Sequence, residues 1–125
     1  MALFLLIFLL VGCSEDYVSI DPSDFNKKIE SNRDIKSPED LIKLYYNYPV
    51  NEPQPMISVT IEQSENGNYI ITLIAEKLPD DSQSSEKIIM WASQNGEFWK
   101  VSEIRKNWKC YKNRGHQEWG TKPCG

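Results

Sequence analysis

The apolar residues of this chain change their spacing along the sequence. Between residues 37 and 49 they recur every three or four positions, which places one set on a single helix face: Leu41, Leu44, Tyr45 and Tyr48. Ser37 suits the N-cap of this helix, Pro38 suits its first position, and Pro49 ends it. The spacing therefore predicts one amphipathic helix that begins after Ser37.

From Ile57 onwards the spacing changes to two, which is typical of half-buried strands. The first strand carries Ile57, Val59 and Ile61 on one face, and the next strands are predicted over 69–78, 87–93 and 98–108. Asn-Gly pairs at 66–67 and 95–96 are strong hairpin signals. Since the helix must bury its apolar face, we expect an α+β domain with the helix packed on a four-stranded antiparallel meander.

The second Asn-Gly pair also predicts a strand register. With Asn95 and Gly96 as the two loop residues, two pairs face each other on the core side of the sheet, namely Ala92 with Trp99 and Met90 with Val101. On the other side, Trp91 is then opposite Lys100, which predicts a cation–π pair.

The residues before the predicted helix are more polar. Residues 14–20 are expected to form a short tether. Asp21 and Pro22 are suited to start a helical turn, in which Phe25 and Ile29, four positions apart, form a small apolar contact.

The composition allows one small globular domain, since the chain has 125 residues of which 40% are hydrophobic. An aromatic content of 11% argues against a disordered chain. A single histidine excludes a site built from several histidines of one chain, and no common metal motif is present. We therefore predict no metal and no other cofactor.

The N-terminal residues carry a targeting pattern. Ala2 to Val11 is an unbroken apolar run, too short to span a bilayer but typical of the central region of a signal peptide. It leads into Leu10-Val11-Gly12-Cys13, which resembles the lipobox of bacterial lipoproteins. The resemblance implies cleavage after Gly12 and lipidation of Cys13. In a departure from the usual pattern, no Lys or Arg precedes Cys13.

The same resemblance implies a location and a division of the chain. By analogy with Gram-negative sorting, Ser14 after the lipidated cysteine favours the outer membrane, with the domain facing the periplasm. The expected organisation is a signal peptide over 1–12, then the lipidated cysteine, tether and N-terminal segment over 13–36. The α+β domain follows over 37–125 and includes a loop over 110–124.

The two remaining cysteines have two interpretations. In an exported protein Cys110 and Cys124 are expected to form a disulfide that closes the 110–124 loop and stabilises the domain by about 3 kcal/mol. In the alternative, Cys110, His116 and Cys124 are zinc ligands, although their spacing matches no common zinc pattern.

Charge is unevenly spread along the chain. Residues 13–86 contain 15 acidic and 6 basic residues, a net charge of −9, whereas residues 87–125 contain 8 basic and 3 acidic residues, a net charge of +5. One interpretation is ordinary solvated surface. The other is a basic surface for an acidic partner or anionic lipid headgroups, formed by Lys106, Lys109, Lys112, Arg114 and Lys122.

No nucleophile motif accompanies His116, the only imidazole available as a base, so no catalytic residue is predicted. We expect a non-enzymatic module that binds an envelope protein or another envelope component, and not nucleic acid, which this compartment lacks. The candidate binding surface consists of Trp108, Lys112, Arg114, His116 and Trp119.

Two further resemblances bear on this expectation. The helix followed by long antiparallel strands with Gly-Glu-Phe-Trp-Lys-Val resembles cystatin-like and NTF2-like domains over residues 37–108. This implies a fold but no function, and the alternative is a small-ligand-binding or enzymatic domain that uses His116. The tail from Trp108 to Cys124 resembles the end of a family of small bacterial lipoproteins with no activity to transfer.

Overall fold

The computed structural model describes residues 15–32, 34–47, 51 and 53–125. The described residues form two helices and five strands: β1 (Val18–Ile20), α1 (Ser23–Glu30), α2 (Pro38–Tyr45), β2 (Met56–Gln63), β3 (Asn68–Glu76), β4 (Gln83–Asn95) and β5 (Phe98–Cys110). The α+β class is confirmed. In these described ranges no helix has the length and apolar character needed to cross a membrane.

All five strands form one antiparallel sheet in the order β1-β5-β4-β3-β2. The predicted meander is confirmed as β2 to β5, but the predicted number of four strands is wrong. The additional strand is β1, which lies in the segment expected to be a tether and pairs with Ile104–Lys106 of β5. A strand of three residues is too short to show an alternating pattern, so its pairing depends on the long neighbouring strand.

Both helices begin at polar residues that accept backbone hydrogen bonds. The Asp21 carboxylate accepts from the N–H and the hydroxyl of Ser23 at the start of α1. Ser37 accepts from the Asp40 N–H at the start of α2, as predicted. Helix α2 ends at Tyr45, earlier than predicted, because Tyr46 leaves the helical conformation. Tyr48 and Pro49 lie outside the described residues.

The helices cover one face of the sheet and form the core with it. Phe25 and Ile29 of α1 and Leu41 and Ile42 of α2 are buried against this face. The buried strand residues are Ile71, Leu73, Ala75, Ile88, Met90, Ala92, Trp99, Val101 and Ile104. The predicted core face of β4 and β5 is therefore confirmed. We call the opposite side, which the helices do not cover, the second face.

The predicted register of the β4–β5 hairpin is wrong. Its two loop residues are Gly96 and Glu97, because Gly96 (φ +64°) takes the first central position, where a type II′ turn requires a positive φ. Two pairs on the core face change accordingly, to Ala92 with Val101 and Met90 with Ile104. The four predicted residues stay on the core face because the register next to the turn moves by two positions, an even number. Beyond an irregularity between Trp91 and Ala92 the shift is three positions, because β5 contains one extra residue there.

The cation–π pair on the second face changes with the register. Lys100 is opposite Ser93, and Trp91 is opposite Glu103. The cation that stacks on Trp91 is Arg105, with its guanidinium carbon 5.0 Å from the ring centroid.

Strand β2 is confirmed, but its predicted half-burial is wrong for two residues. Ile57 and Val59 are opposite the buried Ala75 and Leu73 and yet are exposed. They lie at the outer edge of the sheet, one strand beyond β3, which contacts α2.

Candidate functional site

The C-terminal tail, residues 111–125, returns along the end of β5. The predicted disulfide is confirmed, with 5.5 Å between the Cα atoms of Cys110 and Cys124. Gly120 and Trp108 exchange two backbone hydrogen bonds of 2.9 and 3.0 Å. Since β4 occupies the other edge of β5, the tail and β1 share this edge.

Gly115 allows the tail to turn at the disulfide. Its φ of +150° is rarely adopted by other residues, and a Cβ atom there would lie 2.7 Å from the Cys110 sulfur. The alternative zinc site would need Cys110 and Cys124 as thiolates, and the disulfide removes both although His116 is nearby.

The His116 side chain contacts two backbone carbonyl groups of the tail. Its Nδ1 lies 2.8 Å from the Glu118 carbonyl oxygen and its Nε2 lies 2.9 Å from the Lys122 carbonyl oxygen. The Trp108 indole N–H donates to the same Lys122 oxygen at 3.0 Å. Both imidazole nitrogens therefore face carbonyl oxygens of the tail, and the nitrogen that carries the hydrogen donates to its carbonyl.

On the second face, three donors converge on one carboxylate oxygen of Glu15. The Lys87 ammonium lies 2.6 Å and the Asn107 amide nitrogen 3.3 Å from this oxygen, and the Tyr17 hydroxyl also donates to it. Asn107 donates in addition to the Asp16 carbonyl at 3.1 Å. Lys87 and Asn107 are buried, so these contacts satisfy the Lys87 ammonium and the Asn107 amide nitrogen, which would otherwise be costly to bury. Within the described residues, the Asn107 amide oxygen is buried without a hydrogen-bond partner.

The contacts around Glu15 decide its protonation. Burial alone would raise the pKa of Glu15, but the hydrogen bonds from Lys87, Tyr17 and Asn107 together with the Lys87 charge hold this pKa below its ordinary value. Burial and the bond to the Glu15 carboxylate raise the pKa of Tyr17 to about 12. At neutral pH Glu15 is therefore an anion and Tyr17 a neutral donor.

Trp119 joins the tail to this cluster. The Lys87 ammonium lies 4.4 Å from the centroid of the indole ring, and the Lys109 ammonium lies 4.5 Å from it. Such cation–π contacts contribute about 0.5–2 kcal/mol each, depending on exposure. An open groove of about 840 Å³ lies beside them, lined by Glu15 and Asp16 of the N-terminal segment and by Lys109, Trp119 and Lys122.

The structure distributes the predicted binding residues over the tail. His116 and Trp119 line the groove, and Lys112 and Arg114 are exposed on the turn that follows β5. Trp108 precedes Lys109 in β5 and therefore projects from the opposite face of the sheet. Lys106 also lies on that opposite face, where it pairs with Glu86 at 2.5 Å, so it does not share a surface with Lys109.

Glu15, Tyr17, Lys87 and Asn107 are not among the residues that the sequence predicts to form a site. A polar residue in the interior of a strand, such as Asn107, is the signal that marks such a cluster, although it names no partner. Compared with protein-family models, with curated proteins and with solved structures, the chain matches none.

Proposed function

We propose that this chain is a lipoprotein of the bacterial cell envelope, anchored by a lipid on Cys13 and facing the periplasm at the outer membrane. The observation that carries the proposal is the apolar run of residues 2–11, whose last two residues begin the motif Leu10-Val11-Gly12-Cys13. The disulfide between Cys110 and Cys124 supports it independently, because disulfides persist in oxidising compartments outside the cytoplasm.

The proposed role of the domain is non-enzymatic binding of an envelope protein or another envelope component through the tail. Lys112 and Arg114 are exposed, and Trp119 is half-buried at the rim of an open groove. Tryptophan and arginine are enriched among residues that dominate binding interfaces. The disulfide and the contacts of His116 with two carbonyl oxygens of the tail pre-organise this surface, which lowers the entropic cost of binding.

Lipidation is tested with Cys13→Ser in the full-length chain, with Ser14→Ala as the matched control. We expect the Cys13→Ser protein to lose incorporation of labelled fatty acid and to accumulate as uncleaved precursor, while the control is processed normally. Normal processing and membrane retention of Cys13→Ser would contradict the proposal.

Binding is tested by affinity capture from detergent-solubilised envelope, using native protein, Arg114→Ala and Trp119→Ala. Lys100→Ala, which changes an exposed lysine away from the tail, is the control. We expect a specific component that the two tail variants lose and the control retains. Identical capture by all four proteins would argue against the tail as the binding surface.

The alternative function is a small-ligand-binding or enzymatic domain that uses His116. The groove beside His116 favours it, whereas the two carbonyl contacts of the imidazole favour a structural role for this side chain. His116→Gln separates the two: loss of ligand binding with unchanged stability supports the alternative, and loss of stability alone supports the structural role.

A further inference from the structure

We infer that the groove side of the second face lies against the membrane, where Lys109, Trp119 and Lys122 contact the anionic headgroups of the surrounding phospholipids. This inference rests on the proposed lipidation of Cys13 and adds to it an orientation and a lipid-binding surface. Three features support it: the short tether, the contacts that hold the N-terminal segment on the domain, and the side chains beside that segment.

The tether is far shorter than the sequence indicated. Ser14 is the only residue between Cys13 and Glu15, and an extended residue spans at most about 3.3–3.6 Å. The backbone of Glu15 therefore lies within about 7 Å of the backbone of the lipidated cysteine. A free segment over 14–20 would have allowed the domain to stand several times farther from the bilayer.

Glu15 is fastened to the body of the domain at several points. Its carboxylate holds Lys87, Tyr17 and Asn107, and Asn107 also holds the Asp16 carbonyl. The chain then continues directly into β1, which pairs with β5. Because these contacts hold the chain on the domain from Glu15 onwards, the surface around Glu15 stays close to the lipidated residue.

The side chains beside Glu15 suit a phospholipid headgroup region. Trp119 is half-buried beside the groove, and tryptophan is enriched where apolar and aqueous phases meet. Lys122 is exposed, and basic side chains near an anionic bilayer are attracted to its surface. Asp16 and Glu118 also line the groove, so this surface is not uniformly basic. The short anchor and the two lysines therefore hold this surface at the membrane together.

The experiment measures acetylation of individual lysines in the lipidated mature protein on vesicles of phosphatidylethanolamine and phosphatidylglycerol. The matched variant carries about twelve flexible Gly and Ser residues between Ser14 and Glu15, which add about 20 Å of average reach. A membrane-impermeant acetylating reagent is used, and mass spectrometry gives the rate at each lysine.

We expect Lys122 to react about fivefold more slowly in the native protein than in the linker variant, the change that corresponds to about 1 kcal/mol of contact with an anionic surface. Lys109 changes in the same direction. Lys100, exposed far from the tail, reacts equally in both proteins and reports that both are folded. On neutral phosphatidylcholine vesicles, which lack anionic headgroups, Lys122 of the native protein reacts faster than on the anionic vesicles.

Each other outcome overturns the inference in a distinguishable way. Equal Lys122 rates in native and linker proteins, with the lipid present by intact mass, refute the orientation and leave the lipoprotein proposal standing. Equal protection on anionic and neutral vesicles refutes the headgroup contact. Protection that appears only after envelope protein is added identifies a protein occupant instead, and absence of lipid on Cys13 refutes both proposals.

Discussion

The two outer edges of the sheet differ in whether other segments of the chain cover them. At the β5 edge, β1 and the tail cover the strand, and the Glu15 cluster and the disulfide hold them there. At the β2 edge, the structure shows no further strand within the described ranges. Met56, Ile57 and Val59 remain exposed there by 58%, 46% and 37%.

The comparison shows where this domain uses polar and covalent contacts. Glu15 and Lys87 are 72 positions apart in the chain, and their contact closes the edge that lies beside the proposed anchor. Strand β2 contains neither lysine nor proline, the residues that commonly protect an exposed edge from pairing with other strands. The tightly closed edge is therefore the one for which we propose a function, and the following predictions test the contrast.

The largest effect is expected from removal of the disulfide. Replacing both cysteines, Cys110→Ser with Cys124→Ser, should lower the free energy of unfolding by about 3 kcal/mol, because the closed loop restricts the unfolded chain. Urea unfolding followed by circular dichroism measures this change. An unchanged transition midpoint would show that the tail contributes nothing to the stability of the β5 edge.

The next effect concerns the ion pair of the N-terminal segment. Lys87→Met keeps the apolar part of the side chain but removes the donor to Glu15, and should cost about 2 kcal/mol, as for a hydrogen bond to a charged group. The control is Lys100→Met at an exposed position, where a change within about 0.5 kcal/mol is expected. Equal effects of the two substitutions in urea unfolding would contradict the proposed fastening.

A smaller effect is expected from pH. The pKa of Glu15 is lower in the folded protein than its ordinary value of 4.5, so its contribution to stability is complete above that value. The contribution is lost as the pH falls through the lowered folded pKa. Unfolding free energies of native protein and Glu15→Gln, measured from neutral to acidic pH, should converge as the pH falls. A difference that stays constant would argue against this assignment.

The smallest effect is expected at the open edge. Val59→Lys should change the free energy of unfolding by no more than about 0.5 kcal/mol, because Val59 lies at the sheet edge with more than a third of its surface already exposed. Leu73→Lys, opposite Val59 and buried, is the control and should unfold the domain. A large loss of stability in Val59→Lys would mean that the edge is covered in solution.

Local signals in the sequence correctly predicted much of the scaffold. The Ser37-Pro38 start of α2, the alternating strands after Ile57 and the core face of the β4–β5 hairpin all follow from neighbouring residues. These features depend on backbone preferences and burial, which short stretches of sequence report directly. The cysteine pairing also followed, since the two cysteines other than Cys13 can form only one intramolecular bridge with each other.

The candidate site was only partly predictable. His116 and Trp119 were chosen for their chemistry, and the structure places both beside the groove. Glu15, Lys87 and Asn107 were missed because each looks like an ordinary polar residue until the sheet brings them together. The exact hairpin register was missed too, since one Asn-Gly pair fits two turns that differ in which residue takes the positive φ.

By itself, therefore, the sequence determined the helix start, the strand periodicity and the cysteine pair, and it contains the N-terminal pattern on which the proposed lipidation of Cys13 rests. Only the tertiary structure decided that Glu15 meets Lys87 and that β1 and the tail share the edge of β5. The physical reason is that the spacing of apolar residues depends on which side of each segment is buried in the core, and this can be read from neighbouring residues. Hydrogen bonds between distant polar residues depend instead on the path of the whole chain, which no local pattern indicates.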